Sequence, residues 1–271
     1  MIYSAATIAL VPQIKTGPWI FWNDLETSMA KASQLGFDAI ELFTPSAQSV
    51  DVSQLKDLLY QYNLKLAAVG TGAGKVLQGL TLTDPDLKIR SQAKSFIAEM
   101  IAFGAAFGAP AIIGSMQGNT STEGTAEQSL QWLSEGLEEL GDLAAANNVF
   151  LIYEPLNRYE TNLLNTLEAG AGIIEQLQTT GIKLLADLFH MNIEETDLEQ
   201  AIINFGNWIG HVHFADSNRK PIGFGHTNIQ PVAQALQKIN YKGYISAEAF
   251  PWPDPEAAAL QTITSFRKYF R

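Results

Sequence analysis

The segment Val149-Phe-Leu-Ile-Tyr-Glu154 decides the fold, because it is an apolar run of strand length that ends on a carboxylate. Three later segments follow the same pattern. They are Ile182–Asp187, Trp208–His213 and Tyr244–Glu248. A strand buried on both faces normally carries no charge. Four successive strands that end on a carboxylate or an imidazole therefore predict one shared site at their tips.

Strand-like and helix-like segments alternate along the whole chain, which predicts a parallel sheet. Four further strands are predicted at Ser4–Leu10, Ala39–Phe43, Lys65–Val69 and Ala111–Gly114. Helices are predicted at Leu25–Leu35, Gln54–Tyr62, Leu87–Phe107, Ala126–Ala146, Leu167–Gln178, Leu198–Phe205, Ile229–Ile239 and Pro255–Tyr269. The pairs Asp84-Pro85 and Asp254-Pro255 are typical of helix N-termini, with an aspartate cap before a proline.

The spacing of the four strand tips favours a barrel. Successive tips are 33, 26 and 35 residues apart, each about one βα unit. Eight such units in 271 residues predict a (β/α)8 TIM barrel that forms one domain over residues 1–271. A doubly wound open sheet is the alternative, but the segment after Leu10 lacks the glycine-rich phosphate turn usual in that fold.

Three loops follow strands and are therefore expected on the C-terminal face of the barrel, where active sites are built. They are Gly70–Leu80, Ser115–Thr125 and Ala215–Asn228.

Composition excludes several classes of site. The chain has no cysteine, so thiolate metal sites and disulfides are excluded. Its net charge of −11 opposes binding to a phosphate backbone. No stretch approaches the roughly 20 apolar residues of a membrane span, and no secretory signal precedes the first apolar run. We expect a cytoplasmic protein that binds neither nucleic acid nor membrane.

The four strand-end residues have the chemistry of a metal site. Three neighbouring carboxylates repel one another and take up protons unless a cation neutralises them. Three oxygen ligands and one nitrogen, from Glu154, Asp187, Glu248 and His213, suit Mn²⁺, Mg²⁺ or Co²⁺, with Zn²⁺ as a further candidate. Any one of these residues, taken alone, is explained as a strand-end side chain that faces solvent. Four of them at equivalent strand ends favour a shared cation.

Other polar residues lie near the same predicted mouth. His211 is two residues before His213, so both point to one side of the strand, and we interpret the deeper His211 as a hydrogen-bonded core residue. His190 follows a strand end and is expected to reach a substrate hydroxyl, with capping of the loop as the alternative. Glu41 ends the second strand and either orients a ligand or is an ordinary strand-end charge.

Two features near loops leave alternatives open. Core packing is the default interpretation of Trp19, Phe21 and Trp22, with a sugar-binding wall as the alternative. His226 lies in a glycine-rich loop and is either part of a mobile lid or a plain exposed residue.

Four motifs resemble one enzyme family. They are Glu154-Pro-Leu-Asn157-Arg158-Tyr-Glu160, Asp187-Leu-Phe-His190-Met-Asn192, His211-Val-His213-Phe-Ala-Asp-Ser-Asn218-Arg219 and Ser246-Ala-Glu248-Ala-Phe250. Together they resemble the ketose 3-epimerases of the D-tagatose and D-psicose type, in the xylose isomerase-like TIM barrel superfamily. The match is specific over Glu154–Phe250. In the first half it is limited to Leu35–Glu41 and Phe107–Pro110.

The resemblance implies a function and a role for each of the site residues. It implies a sugar epimerase or isomerase that acts through an enediolate and binds one divalent metal ion. Mn²⁺ is the expected ion. Relatives commonly pair through the barrel mouth, so a homo-oligomer is expected. The implied metal ligands are Glu154, Asp187, His213 and Glu248, of which Glu154 and Glu248 also form the acid–base pair. The implied substrate contacts are Glu160, His190 and Arg219.

Several alternatives stay open on the same barrel. They include a sugar-phosphate or hydroxypyruvate-type isomerase, an inosose-type dehydratase and a non-catalytic sugar-binding barrel. An abasic-site endonuclease is disfavoured because it needs histidines in the first half of the chain, whereas the first histidine here is His190. In the loop after Arg219, His226 replaces an arginine usual in the epimerases. The sugar is not identified, and the candidate phosphate anchors are Lys75, Arg158, Arg219 and Lys220.

Overall fold

A computed structural model shows a closed barrel of eight parallel strands surrounded by helices, and it describes residues 1–120 and 124–271. The strands are Tyr3–Ala9 (β1), Ala39–Phe43 (β2), Lys65–Gly70 (β3), Ala111–Ile113 (β4), Leu151–Tyr153 (β5), Ile182–Asp187 (β6), Ile209–His213 (β7) and Tyr244–Ala247 (β8). Each strand pairs with the next, and β8 pairs with β1. The predicted TIM barrel is confirmed, and the open doubly wound sheet is excluded.

Ten helices cover the barrel in the described part of the chain. They are Leu25–Leu35 (α1), Val52–Gln61 (α2), Ala73–Gln78 (α3), Leu87–Ala105 (α4), Ala126–Ala146 (α5), Leu167–Ile174 (α6), Leu188–Glu194 (α7), Leu198–Phe205 (α8), Ile229–Lys238 (α9) and Pro255–Phe270 (α10). Among the described helices, none is both long enough and apolar enough to cross a membrane.

The inward-facing residues form layers because side chains alternate along a strand. One layer consists of the apolar residues Ala68, Ile112, Ile152 and Leu185. Two residues further along β5 and β6 come Glu154 and Asp187, so the same alternation that buries Ile152 and Leu185 points these carboxylates into the barrel. The polar layer therefore lies directly on an apolar floor at the C-terminal end.

Closure of the barrel brings an aromatic segment to the mouth. β8 pairs with β1 only as far as Ala6. Beyond that point the two-residue strand Phe21–Trp22 pairs with Ile8 and Ala9. The chain before it, including Trp19, is thereby held at the rim.

Most predicted boundaries agree with the structure, and the differences have local causes. Helix α4 begins at Leu87 with Asp86 as its cap, so the prediction that Asp84-Pro85 starts this helix is wrong. The Asp254 carboxylate caps α10 as predicted. The sequence does not predict helices α3 and α7, since each has fewer than eight residues and lies close after a strand, α7 directly and α3 after two residues. The predicted loop Ser115–Thr125 lies partly outside the described residues.

We predict that Thr7→Val destabilises the protein by about 1–3 kcal/mol, because it leaves the buried backbone N–H of Ile20 without its acceptor. The Thr7 hydroxyl donates to the Ala247 carbonyl (2.7 Å) and accepts from the Ile20 N–H (2.9 Å) at the closing seam. Chemical denaturation measures the change. Thr262→Val is the matched control, since the buried Thr262 hydroxyl has no partner among the described residues. Equal stability of the two variants would contradict the prediction.

Candidate metal centre and active site

The four strand-end residues converge at the mouth of the barrel. Glu154 and Glu248 directly follow β5 and β8, while Asp187 and His213 are the last residues of β6 and β7. One ligand atom from each lies within 4.8 Å of the others. Three of the side chains are buried, and Glu248 is partly exposed. The structure thus brings together all four ligands predicted from the sequence.

The Nδ1 atom of His213 is surrounded by the three carboxylates. It lies 3.3 Å from Asp187 Oδ2, 3.5 Å from Glu154 Oε1 and 3.7 Å from Glu248 Oε2. Glu154 Oε1 is buried and accepts no hydrogen bond from any described residue. A buried carboxylate oxygen without a donor is costly unless a cation neutralises it. The oxygen-rich donor set with one imidazole therefore fits a hard divalent cation.

Crowding perturbs the ionisation of the cluster. Burial raises the pKa of Glu248 to about 7, although Arg219 and His213 oppose the rise. Burial would lower the pKa of His213, but Glu41 and Glu248 raise it well above its usual value. The cluster therefore holds protons at neutral pH that a bound cation would displace.

Glu41 holds His213 from the side opposite the carboxylates. Its Oε1 lies 3.1 Å from His213 Nε2 and its Oε2 lies 2.7 Å from His211 Nε2. This contact turns His213 Nδ1 toward the proposed metal position, which is the usual role of a carboxylate behind a histidine ligand. His211 lies in the buried hydrogen-bonded position expected from the sequence. Glu41, His211 and His213 also form a second group of potential ligands.

Asp187 has two roles through its two oxygens. Oδ1 accepts the backbone N–H groups of Phe189 (2.7 Å) and His190 (3.2 Å) and so caps α7. Oδ2 faces His213. Helix α7, which the sequence does not predict, therefore holds both the Asp187 carboxylate and His190 in place.

His190 points a hydrogen-bond donor into the site. The backbone N–H of Asn157 donates to its Nδ1 (3.2 Å), so the neutral ring carries its proton on Nε2. Nε2 is buried without a partner among the described residues and lies 3.8 Å from both Glu154 Oε1 and Asp187 Oδ2. Asn157 was not identified from the sequence, because its role depends on contact with a helix 33 positions later.

Arg219 joins two of the predicted glutamates. Its Nη2 lies 2.6 Å from Glu248 Oε2 and its Nη1 lies 3.1 Å from Glu160 Oε1. The guanidinium stacks on Phe189, with its carbon 4.8 Å from the ring centroid. The three predicted substrate-contacting residues, Glu160, His190 and Arg219, thus lie on one side of the carboxylate cluster.

A cavity of about 180 Å³ lies above the cluster. One wall is polar and is formed by Glu154, Glu160, His213, Arg219 and Glu248. The apolar wall is formed by Pro18, Trp19, Phe43, Val76, Ile112 and Leu156. Trp19 stacks on Phe43 with ring centroids 4.3 Å apart. Phe21 is buried in the core as expected, and Trp19 and Trp22 pack partly buried against a small core cluster that includes Phe43. Trp19 also lines the cavity, so both interpretations of this residue hold.

Two further residues that the sequence did not identify shape the position of Glu154. Gln117 is fully buried and donates to the Glu154 carbonyl (3.0 Å). Gly114 lies under the carboxylate, so that a side chain there would collide with Glu154 Oε2. His226 is exposed, and its backbone N–H donates to Ser217 Oγ (3.1 Å); its proposed role in a lid stays a prediction.

Comparison with known proteins identifies the family. The xylose isomerase-like TIM barrel family matches residues 29–269. An L-ribulose 3-epimerase of Methylomonas sp. is 30% identical over 82% of this chain and 77% of its own length. A D-psicose 3-epimerase of Ruminiclostridium cellulolyticum is 30% identical over 84% of this chain and 78% of its own length.

The solved structure of an L-ribulose 3-epimerase superimposes with a TM-score of 0.84 at 24% identity and covers 99% of this chain and 94% of that one, which supports the fold. The family match and the 30% identical relatives agree with the closed barrel and its convergent strand ends. The chain belongs to the xylose isomerase-like TIM barrel family.

Proposed function

We propose that this protein is a metal-dependent ketose 3-epimerase, an isomerase that inverts one carbon next to the ketone of a sugar. One observation carries the proposal: Glu154 and Glu248 come from different strands, yet both carboxylates line one small cavity and lie 3.5 and 3.7 Å from the same imidazole nitrogen. Inversion requires one base and one acid that reach the reacting carbon from different sides. The names of the relatives, L-ribulose and D-psicose 3-epimerase, support this reaction over the isomerase and dehydratase alternatives.

The proposed metal ligands are Glu154, Asp187, His213 and Glu248, and Mn²⁺ is the proposed ion because oxygen donors predominate. When bound, the ion would supply positive charge beside the ketone oxygen and the adjacent hydroxyl, which acidifies the C–H bond at C3.

The protein's own groups would then move one proton. One of the two glutamates, Glu154 or Glu248, takes the C3 proton, and the electron pair left behind forms an enediolate with the carbonyl. The other glutamate, protonated beforehand, delivers its proton to the opposite face of C3, and the configuration inverts. The Nε2–H of His190 is available to donate to a substrate oxygen, as is the guanidinium of Arg219.

A free ketose suits the cavity better than a sugar phosphate. Among the described residues that line the cavity, Arg219 is the one lysine or arginine, and it already pairs with two glutamates. Two of the other candidate anchors are engaged outside the cavity. Arg158 pairs with Glu194, and Lys220 lies over the Trp252 ring.

We predict that D-psicose or L-ribulose, incubated with the enzyme and Mn²⁺ in D₂O, gives the C3 epimer with deuterium at C3. The label enters because the proton delivered to C3 comes from a glutamate that exchanges with solvent. Mass spectrometry and NMR locate the label, and the corresponding sugar phosphates are expected to react more slowly. Label at C1 would show an aldose–ketose isomerase instead. No exchange of any ketose with Mn²⁺, Co²⁺ or Mg²⁺ would refute the proposal.

In the same assay, Glu248→Gln is expected to lower the exchange rate by about 10²–10⁴-fold, as for loss of a general acid or base. Circular dichroism checks that the variant folds. Glu256→Gln is the matched control, because Glu256 is an exposed carboxylate paired with Lys31 outside the site. Retained exchange in Glu248→Gln would remove Glu248 from its assigned role.

We predict that Gly114→Ala lowers Mn²⁺ affinity by about 10–100-fold although it alters no ligand. The added methyl group collides with Glu154 Oε2 and displaces that carboxylate. Titration calorimetry measures the affinity. Gly172→Ala is the control, since a methyl group at Gly172 in α6 meets no atom within 4 Å. Equal affinity of the two variants would show that Glu154 does not bind the ion in this position.

A further inference from the structure

The loop between β7 and α9 places Arg219 against the glutamates. Arg219 is the residue of this loop that bonds to Glu248 and Glu160. Its backbone has φ +58°, in the left-handed region that a side chain rarely adopts. The position of the guanidinium therefore depends on whatever holds the loop in this conformation.

The carboxylate of Asp216 lies at the centre of this loop. Its Oδ1 accepts the backbone N–H groups of Ser217 (2.8 Å) and Thr227 (3.0 Å). Its Oδ2 accepts those of Gly223 (2.8 Å) and Gly225 (2.9 Å). Asp216 is 1% exposed, so these four donors take the place of water around the charge. Burial would raise the pKa of Asp216, but the backbone donors hold it below its usual value.

The glycines of the loop fit this arrangement. Gly223 has φ +103°, which only glycine adopts readily. A side chain at Gly225 would collide with Asp216 Oδ1. Both glycines therefore let the backbone wrap closely around one carboxylate.

The loop is also tied to both sides of the site. The Phe250 N–H, two residues after Glu248, donates to the Arg219 carbonyl (2.8 Å). On the other side, the Asn192 amide of α7 donates to Thr227 Oγ1 (2.9 Å). Asp216 thus organises a segment that connects the Glu248 strand end with the helix that carries His190.

We propose that Asp216 is a positioning residue: by gathering four backbone N–H groups, its carboxylate sets the loop so that Arg219 lies on Glu248. The kinetic consequence rests on the proposed epimerase function. The positioning itself does not, because it can be read from the accessibility of Arg219.

The test is Asp216→Asn, which keeps the shape of the side chain but replaces one acceptor oxygen with a donor. Two of the four N–H groups then lose their partner. Hydrogen exchange should show lost protection at the amides of the loop and of Phe250, and phenylglyoxal should modify Arg219 faster relative to Arg158, which is 60% exposed outside the loop.

Asp51→Asn is the matched control. The Asp51 carboxylate accepts one backbone N–H, from Gln54, at the exposed start of α2. Asparagine caps a helix about as well as aspartate, so this variant should match the wild type in every measurement.

Catalysis supplies a second, independent readout. Asp216→Asn should lower kcat/KM for the ketose by about 100-fold, the cost of a misplacement of about 1 Å. In an Arg219→Ala background the same substitution should add little, since Asp216 acts through Arg219. Unchanged exchange and unchanged Arg219 labelling would overturn the proposal, and so would losses that multiply in the double variant. A wild-type enzyme without activity would refute the epimerase function alone, and Arg219 labelling would still decide the role of Asp216.

Discussion

Three carboxylates and one imidazole share a small buried volume at the mouth of this barrel, and the rest of the site follows from that constraint. Glu154, Asp187 and Glu248 lie within 3.7 Å of His213 Nδ1. Such a cluster is unfavourable in a buried position unless protons or a cation neutralise it. Glu41 contacts His213 Nε2 and so orients the imidazole, and the Arg219 guanidinium pairs with the Glu248 carboxylate. Two of the carboxylates that would bind the cation, Glu154 and Glu248, also line the cavity.

The polar wall and the apolar wall of the cavity have different roles in the proposed binding of a ketose. In the proposed reaction the carboxylates, His190 and Arg219 would contact the oxygens around the reacting carbon. Trp19 and Phe43 contribute stacked rings to the apolar wall. An apolar wall excludes water from the proton transfer and fits the C–H faces of a sugar. Such a wall offers few hydrogen-bonding groups to the distal hydroxyl groups of the sugar.

The fold and the convergence of the four strand ends could be predicted because both depend on local rules. Alternation along a strand places Glu154 two positions above Ile152, and a barrel brings all strand tips to one mouth. Contacts between distant segments could not be predicted. Asn157 sets the tautomer of His190 only because α7, itself too short to recognise, packs beside it. The aromatic wall depends on a two-residue strand at the barrel seam, which leaves no pattern in the sequence.

Pulsed EPR of the Mn²⁺-loaded protein tests the central claim most directly, because it counts the nitrogen atoms bound to the ion. Three carboxylates and His213 predict one coupled ¹⁴N per Mn²⁺, and this coupling should disappear in His213→Gln. Two coupled nitrogens would place the ion at Glu41, His211 and His213 instead. An absence of nitrogen coupling in the wild type would show that the four strand ends do not form the metal site.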